Sequence, residues 1–209
     1  MSPTARLILA SESPRRRELL SAVGIPFRVI PSGVDEIPRR GEIPARFARR
    51  AARDKGMRVA ERNPGSFVLS ADTIVVAGER ILGKPRDREE ARRMLSFLAG
   101  KEHRVVTAVC LLCAGRGYRD AGTEVTRVRF RALTPPEVAA YARTGEGDDK
   151  AGAYAAQGAG MLLIERVCGS FTNVVGLPMT RVVAMLSRAG LIRVAGRGPC
   201  WYAAAGGKG

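Results

Sequence analysis

Apolar positions along the chain fall into two patterns, short continuous runs and stripes recurring every three or four residues. Strands interleaved with helices produce that alternation, and it predicts an α/β protein. The run "RLILA" predicts a buried strand. Ser13 as N-cap and Pro14 in the first turn then begin a helix running to about Val23, with Gly24 as its stop. "PFRVIP" predicts a second strand, leading into the loop "SGVDEIPRRGE". A long helix follows from about Pro44 to Arg62, ended by the turn signal Asn63-Pro64-Gly65.

Residues 66–85 read as two strand segments, turning at Ala77-Gly78. Asp87 and Glu90 form a capping box for a helix whose Ala91, Met94, Leu95 and Leu98 share one apolar stripe. "HRVVTAVCLLCA" and "TEVTRVRFRA" predict strands joined as a hairpin through "GRGYRD". Thr134 and Glu137 make a second capping box, with Pro135 and Pro136 entering the helix. The glycine-rich "GEGDDKAGAYAAQGAG" predicts irregular backbone. It is followed by the strand "MLLIERV", the turn-rich "CGSFTNVVGLP" and a last helix from about Met179 to Ala189. Residues 191–209 read as a Gly-rich mobile tail, and residues 1–190 as a single α/β domain without repeat or linker.

Composition changes this picture in one respect. Of 209 residues 45% are hydrophobic and 26% charged, ordinary proportions for a globular protein, but the formal net charge is +15. Such a balance favours anionic partners. Aromatic content of only 5% argues against a base-stacking platform for single strands, so small anions are expected rather than nucleic acid. No apolar run approaches the length of a membrane span, no membrane association is expected, and the N-terminal run is too short for a signal peptide. A cytoplasmic location is the expectation. Cys110 and Cys113 flank two leucines inside a strand pattern, with Cys168 and Cys200 far off. With His103 the only histidine, buried reduced thiols are expected in place of a zinc site.

Some residues do not fit a purely structural pattern. Arg15, Arg16 and Arg17 crowd the first turn of a helix whose N-terminus is already partly positive, the wrong sign unless an anion binds there. Lys55 falls on the buried stripe of the long helix with Ala48, Ala51, Ala52 and Val59, where a cation must snorkel, pair or face a polar cleft. Asp72 directly follows the apolar run "FVLS", and an acid at a strand end in an α/β sheet often faces a ligand crevice. Lys84 sits between Gly83 and Pro85, where it can meet phosphate as a point charge. Asp35 and Glu36 offer oxygen ligands to a hard cation. Lys150 lies among glycines, and the Gln157 amide can read a base edge. No Walker-type loop and no dinucleotide fingerprint is present, and His103 reads as structural.

Together the motifs "LASESPRRRELL", "SGVDE", "ARDK", "ADTIVV", "GKPRD", "HRVVTAV", "DKAGAYAAQG" and "GSFTNVVGLP" resemble those of the Maf family of nucleoside triphosphate pyrophosphatases, in family order from about residue 7 to 188. The resemblance implies an elongated mixed sheet flanked by helices, two lobes around a deep central cleft, as in inosine triphosphate pyrophosphatase. It implies hydrolysis of a nucleoside triphosphate to the monophosphate and pyrophosphate with a divalent cation, Mg²⁺ or Mn²⁺, and a homodimer as the assembly. By the same resemblance Asp72 is the proton acceptor. Ser11, Arg15, Arg16, Lys55, Lys84 and Lys150 bind phosphate, Lys55 and Lys84 in catalytic positions, and Glu36 with Asp72 holds the metal. Arg15, Thr73 and Gln157 match the branch acting on dTTP and UTP, whereas the 7-methyl-GTP branch tends to carry Trp, Gln and Glu. Glu12 stands where glycine is frequent, a carboxylate near the expected phosphates. The competing readings are that 7-methyl-GTP branch and a basic nucleic-acid-binding or cell-division regulator without catalysis.

Overall fold

The structure, a computed structural model, is described over residues 7–194 and 202–204. It is mixed α/β. One seven-stranded sheet has the order β2-β1-β3-β5-β6-β7, with β4 paired to β3. Its strands are β1 (Leu7–Leu9), β2 (Phe27–Val29), β3 (Phe67–Ala77), β4 (Arg80–Leu82), β5 (Glu102–Cys113), β6 (Tyr118–Phe130) and β7 (Ile164–Cys168). The α-helices are α1 (Pro14–Ser21), α2 (Pro44–Arg62), α3 (Arg88–Leu98), α4 (Pro135–Arg143), α5 (Phe171–Val175) and α6 (Met179–Arg188). β1 lies parallel to both β2 and β3, in the registers Leu7↔Phe27 and Leu7↔Phe67, while β4 and β7 are antiparallel to their neighbours. The short parallel strand β1 is buried at every position, as the continuous run "LIL" requires of a strand covered on both faces.

The chain divides into two compact units. The first comprises residues 1–72, 108–123 and 176–209, and the second residues 73–107 and 124–175. β3, β5 and β6 contribute residues to both. In the first unit Leu7, Leu9, Leu20, Leu69, Val109, Leu111, Leu177, Met185 and Leu186 form the main core. A smaller cluster joins Ile8, Val59, Val68 and Leu112. In the second, Val75, Leu95, Leu98, Val128, Phe130, Tyr154 and Leu163 pack together.

α2 spans the residues its periodicity predicts. Its inward face comes very close to the sheet. A Cβ on Gly56 would lie 2.6 Å from Ser70 Oγ and 2.9 Å from Leu112 Cδ1, so any larger residue there would have to displace one of those side chains. Ser70 Oγ donates to the Ala52 carbonyl at 2.7 Å, pinning the same turn.

The structure departs from the sequence-based expectations at several points. α1 ends at Ser21 rather than Val23. The Glu90 carboxylate accepts from Arg86 N and not from the N-cap Asp87, whose own side chain does cap Glu90 N at 2.7 Å. The capping box at Thr134 and Glu137 is complete. Met161–Leu163, expected as strand, close a 3₁₀ segment Gly158–Leu163, because Gly158 and Gly160 carry the chain in a tight turn. The turn-rich "SFTNVV" contains the short helix α5. The C-terminal region expected as a tail contributes β8 (Ile192–Val194) and β9 (Tyr202–Ala204), an antiparallel pair anchored by buried Leu191 and Ile192. The rest of that region, Cys200 included, lies outside the described residues.

The remaining thiols are unbridged. Cys110 and Cys113 are buried and Cys168 is half-buried; burial pushes the Cys110 thiol up to about 11, which leaves it inert. His103 is 2% exposed, its Nε2 lying 2.8 Å from Tyr154 Oη, with its ring edge-on to Phe130 and Tyr154. Burial lowers its pKa to about 4. Folded protein therefore binds this proton less well than unfolded chain, whose value is 6.5. Stability is intact above pH 6.5 and falls as pH drops toward 4, by about 3 kcal/mol for this group. Thermal melts across that window should show the loss, and His103→Gln should remove it; an equal loss in the variant would clear His103 of the effect.

Candidate active site

In the first unit, Asp72 is not at a strand end as its sequence neighbours suggest. It lies inside β3, which continues through "TIVVA" to Ala77. Only 1% of its side chain is exposed, a costly place for a carboxylate without a partner. The partner is Lys55, 6% exposed, whose Nζ donates to Asp72 Oδ1 at 2.8 Å. The same ammonium reaches Glu36 Oε1 at 2.5 Å from the loop between β2 and α2. The α2 stripe that is otherwise apolar thus carries Lys55 inward to bind two carboxylates. Asp35 beside Glu36 is exposed and is not part of this cluster.

The two acids are driven apart. Burial raises Asp72, Lys55 opposes this, and the neighbouring Glu36 carboxylate adds to the rise. Burial also acts upward on Glu36, but Lys55, a proton donated from Asp72 and the nearby Arg16 together bring it below its ordinary value. A proton entering this pair therefore resides on Asp72 rather than on Glu36. Asp72 Oδ2 is buried and accepts no donor from the protein. Two carboxyl groups separated in this way divide into a proton-accepting and an ionised member.

α1 closes the same region. Ser13 Oγ caps Arg16 N at 3.4 Å, and the first turn holds no acid. Arg16 is turned inward: Nε donates to the Gly176 carbonyl at 2.8 Å, and Nη1 to Ala71 O at 2.9 Å and Ser11 Oγ at 3.3 Å. Burial lowers its pKa, while Asp72 and Glu36 support its charge. It therefore ties the helix to the residue preceding Asp72. Ser11 is buried, Arg15 half-buried, and Arg17 and Glu12 exposed. The structure thus brings Ser11, Arg16, Glu36, Lys55 and Asp72 together.

The other expected site residues belong to the second unit. Thr73 Oγ1 lies 2.9 Å from Thr107 Oγ1, which also contacts the Asn173 carbonyl at 3.3 Å. The buried Asn173 amide donates to Val105 O and Thr126 Oγ1 at 3.1 and 2.9 Å. Lys84 is exposed. Lys150 is half-buried, donating to the Glu146 carbonyl and to Asp149 Oδ1. Gln157 is exposed on a loop held from both sides. Tyr141 Oη accepts from Ala155 N at 3.0 Å and donates to Glu146 Oε2 at 2.9 Å, and the Glu146 carboxylate accepts from Ala159 N and Gly160 N at 3.0 and 2.8 Å. A Cβ at Gly158, where φ is +64, would strike Glu146 Oε1.

Glu146, Tyr141 and Asn173 are absent from the sequence-based set. In the sequence Glu146 is one acid in a turn-like "GEGDD", and Asn173 one amide in a turn-rich segment. Neither stands out without its partners.

Mixed α/β architecture with a buried and an exposed carboxylate, Asp72 and Glu36, sharing one lysine defines the class. The family described as Maf-like protein matches residues 6–189, and the chain belongs to the Maf family. It is 47% identical over 182 residues to the dTTP/UTP pyrophosphatase of Syntrophomonas wolfei, covering 87% of this chain and 96% of that protein. It is 52% identical over 185 residues to the Myxococcus xanthus protein of the same name, covering 88% and 93%. The Geobacter sulfurreducens dTTP/UTP pyrophosphatase is 46% identical over 187 residues, covering 90% and 98%. Among solved structures, the Staphylococcus aureus Ham1 protein matches with a TM-score of 0.43 and 12% identity, over 59% of this chain and 71% of that one, a likeness too slight to carry an inference.

Proposed function

We propose that the protein hydrolyses dTTP and UTP to the nucleoside monophosphate and pyrophosphate, with Asp72 as the proton acceptor. The observation that carries this reading is the Asp72–Lys55–Glu36 cluster, in which Asp72 and Lys55 are buried, Glu36 is 40% exposed, and Asp72 is raised and keeps one oxygen free of protein donors. The names of its relatives, at close to half identity over most of the chain, support the substrate class.

In this reading a water attacks the α-phosphorus. The new P–O bond forms as the bond to the bridging oxygen of the β-phosphate breaks. Asp72 Oδ2 takes the water proton, and its raised pKa makes it a better base than an ordinary aspartate. Lys55 holds Asp72 in place through Oδ1 and offsets charge on the phosphates. Ser11, Arg15 and Arg16 at the start of α1, together with Lys84 and Lys150, are assigned to the phosphates, since guanidinium and ammonium groups stabilise charge gathering on oxygen.

A divalent cation suits this donor set. Two carboxylates, one with an orphaned buried oxygen, are the protein share that Mg²⁺ ordinarily takes before phosphates complete its shell; Glu36 and Asp72 would hold it, Asp72 at a different step from its proton transfer. When bound it supplies Lewis-acid stabilisation of the phosphate oxygens. Arg15, Thr73 and Gln157 are assigned to selecting the pyrimidine nucleotide. The protein is proposed to act in the cytoplasm, as a homodimer.

Pyrophosphate release from dTTP, UTP, CTP and 7-methyl-GTP, each with and without Mg²⁺, tests the reading. Turnover of dTTP and UTP that needs the cation is expected; none on any of the four would overturn it. Gln157→Glu is expected to cut kcat/KM for dTTP about tenfold, the loss of one well-placed hydrogen bond. An unchanged ranking of the four nucleotides would remove Gln157 from substrate selection.

A further inference from the structure

The first unit carries a second concentration of charge that the catalytic reading does not use. Arg39, Arg46, Arg49, Arg50, Arg53 and Arg119 line one concavity of about 340 Å³, with Glu42 the single carboxylate in the lining. Read along the sequence, "RFARRAARDK" looks like an ordinary solvated helix face. In the fold, the four α2 arginines stand one and two turns apart, at 46, 49, 50 and 53. They are joined by Arg39 from the preceding loop and Arg119 from β6.

Like charges at such spacing weaken a helix. Arg46 lies in a first turn that holds no acid, where a cation has the wrong sign for the helix dipole. Several surface arginines elsewhere are matched with acids, among them Arg86 with Glu90, Arg131 with Glu137 and Arg188 with Asp120.

The local acids are already engaged. Glu42 accepts from Arg50 Nε and Nη2 at 2.8 and 2.7 Å and from Arg39 N at 3.0 Å. The Arg50 hydrogen bonds foremost hold its carboxyl down at about 2, so it stays an ionised brace for Arg50. Arg53 pairs with Asp54 at 2.9 Å, and Arg49 Nε rests on the neutral Thr123 hydroxyl at 2.8 Å. Arg46 and Arg119 form no ion pair among the described residues.

We propose that this bay is a second anion site, separate from the carboxylate pair, that takes a compact polyphosphate of the pyrophosphate type. Guanidinium forks suit phosphate oxygens, donating to two at once. Convergence from three elements around one concavity fits a small, highly charged anion. A single strand would need stacking surfaces, and the lining has no aromatic residue. Lys55 faces Asp72 from the opposite stripe of the same helix, so the bay is read independently of the catalytic assignment.

Calorimetric titration of the full chain with pyrophosphate in metal-free buffer tests it. The native protein should show a binding event that weakens at least tenfold in Arg46→Gln/Arg119→Gln, with dTTP kinetics unchanged. If that variant misfolds by circular dichroism, Arg49→Gln/Arg53→Gln should weaken the same event. Identical isotherms in native protein and folded variant would overturn the proposal. Duplex DNA at the same ionic strength separates the sources of phosphate. DNA binding weaker than that of pyrophosphate supports the compact anion. DNA binding lost in the variant, with an unchanged pyrophosphate isotherm, assigns the bay to nucleic acid and overturns the site as stated.

Discussion

In the Asp72→Asn variant, pyrophosphate release from dTTP is expected to fall by about three orders of magnitude, within the range that positioned general bases supply. The physical reason lies in the surroundings of one carboxylate. Burial raises Asp72, and its Oδ2 accepts no protein donor, so in the proposed reaction this oxygen is the one assigned to take a proton from water. Asparagine keeps the shape and can still accept from Lys55 at the retained oxygen. It has no carboxylate oxygen to protonate. The folded state should survive, since a neutral amide replaces a carboxylate in a site that is 1% exposed. Matched far-ultraviolet spectra and melting temperatures would establish this. A variant that turns over within tenfold of the native rate would show that Asp72 is not the base.

Lys55→Met is expected to produce the largest loss of stability. It leaves two carboxylates without their shared cation, one of them buried, and breaking such a pair from one side costs about 3–5 kcal/mol. The pH dependence distinguishes this from lost packing. Asp72 already has a raised folded pKa, so the folded state holds its proton more tightly than the unfolded chain, whose value is 3.8. Its contribution to stability is then largest below that value and falls as pH rises through the folded pKa. Without Lys55 the folded value moves higher still, so the deficit of the variant should grow between pH 4 and neutrality. Adding Asp72→Asn should recover most of the loss. Denaturant titrations of the native chain, both single variants and the double variant make that cycle. A Lys55→Met chain as stable as the native one at neutral pH would sink the account.

Most of the helical architecture was legible because it is local. α2 matches its predicted bounds, and its stripe of Ala48, Ala51, Ala52, Lys55 and Val59 is buried as the 3.6-residue period requires. The Thr134–Glu137 box closes as the spacing predicts. Expectations failed where a non-local partner decided the outcome. Asp72 looked like a strand end because polar residues interrupt an apolar run, yet pairing carries β3 through to Ala77. Residues near the C-terminus looked like a tail because glycine dominates them, yet Ile192–Val194 finds Tyr202–Ala204.

The sequence by itself determined the residue types of the chemistry: a lysine on an inward stripe, an aspartate against an apolar run, arginines at the wrong end of a helix. Periodicity and capping act over a few residues, and the motif order carried the family. Only the tertiary structure decided what those groups do to one another. The opposite shifts of Asp72 and Glu36 come from shared contact with Lys55 and unequal burial. The inward turn of Arg16 comes from carbonyls 55 and 160 residues away along the chain. The arginine bay exists because a loop and a strand meet one face of α2. Such effects depend on distance through space, and a one-dimensional pattern does not contain it.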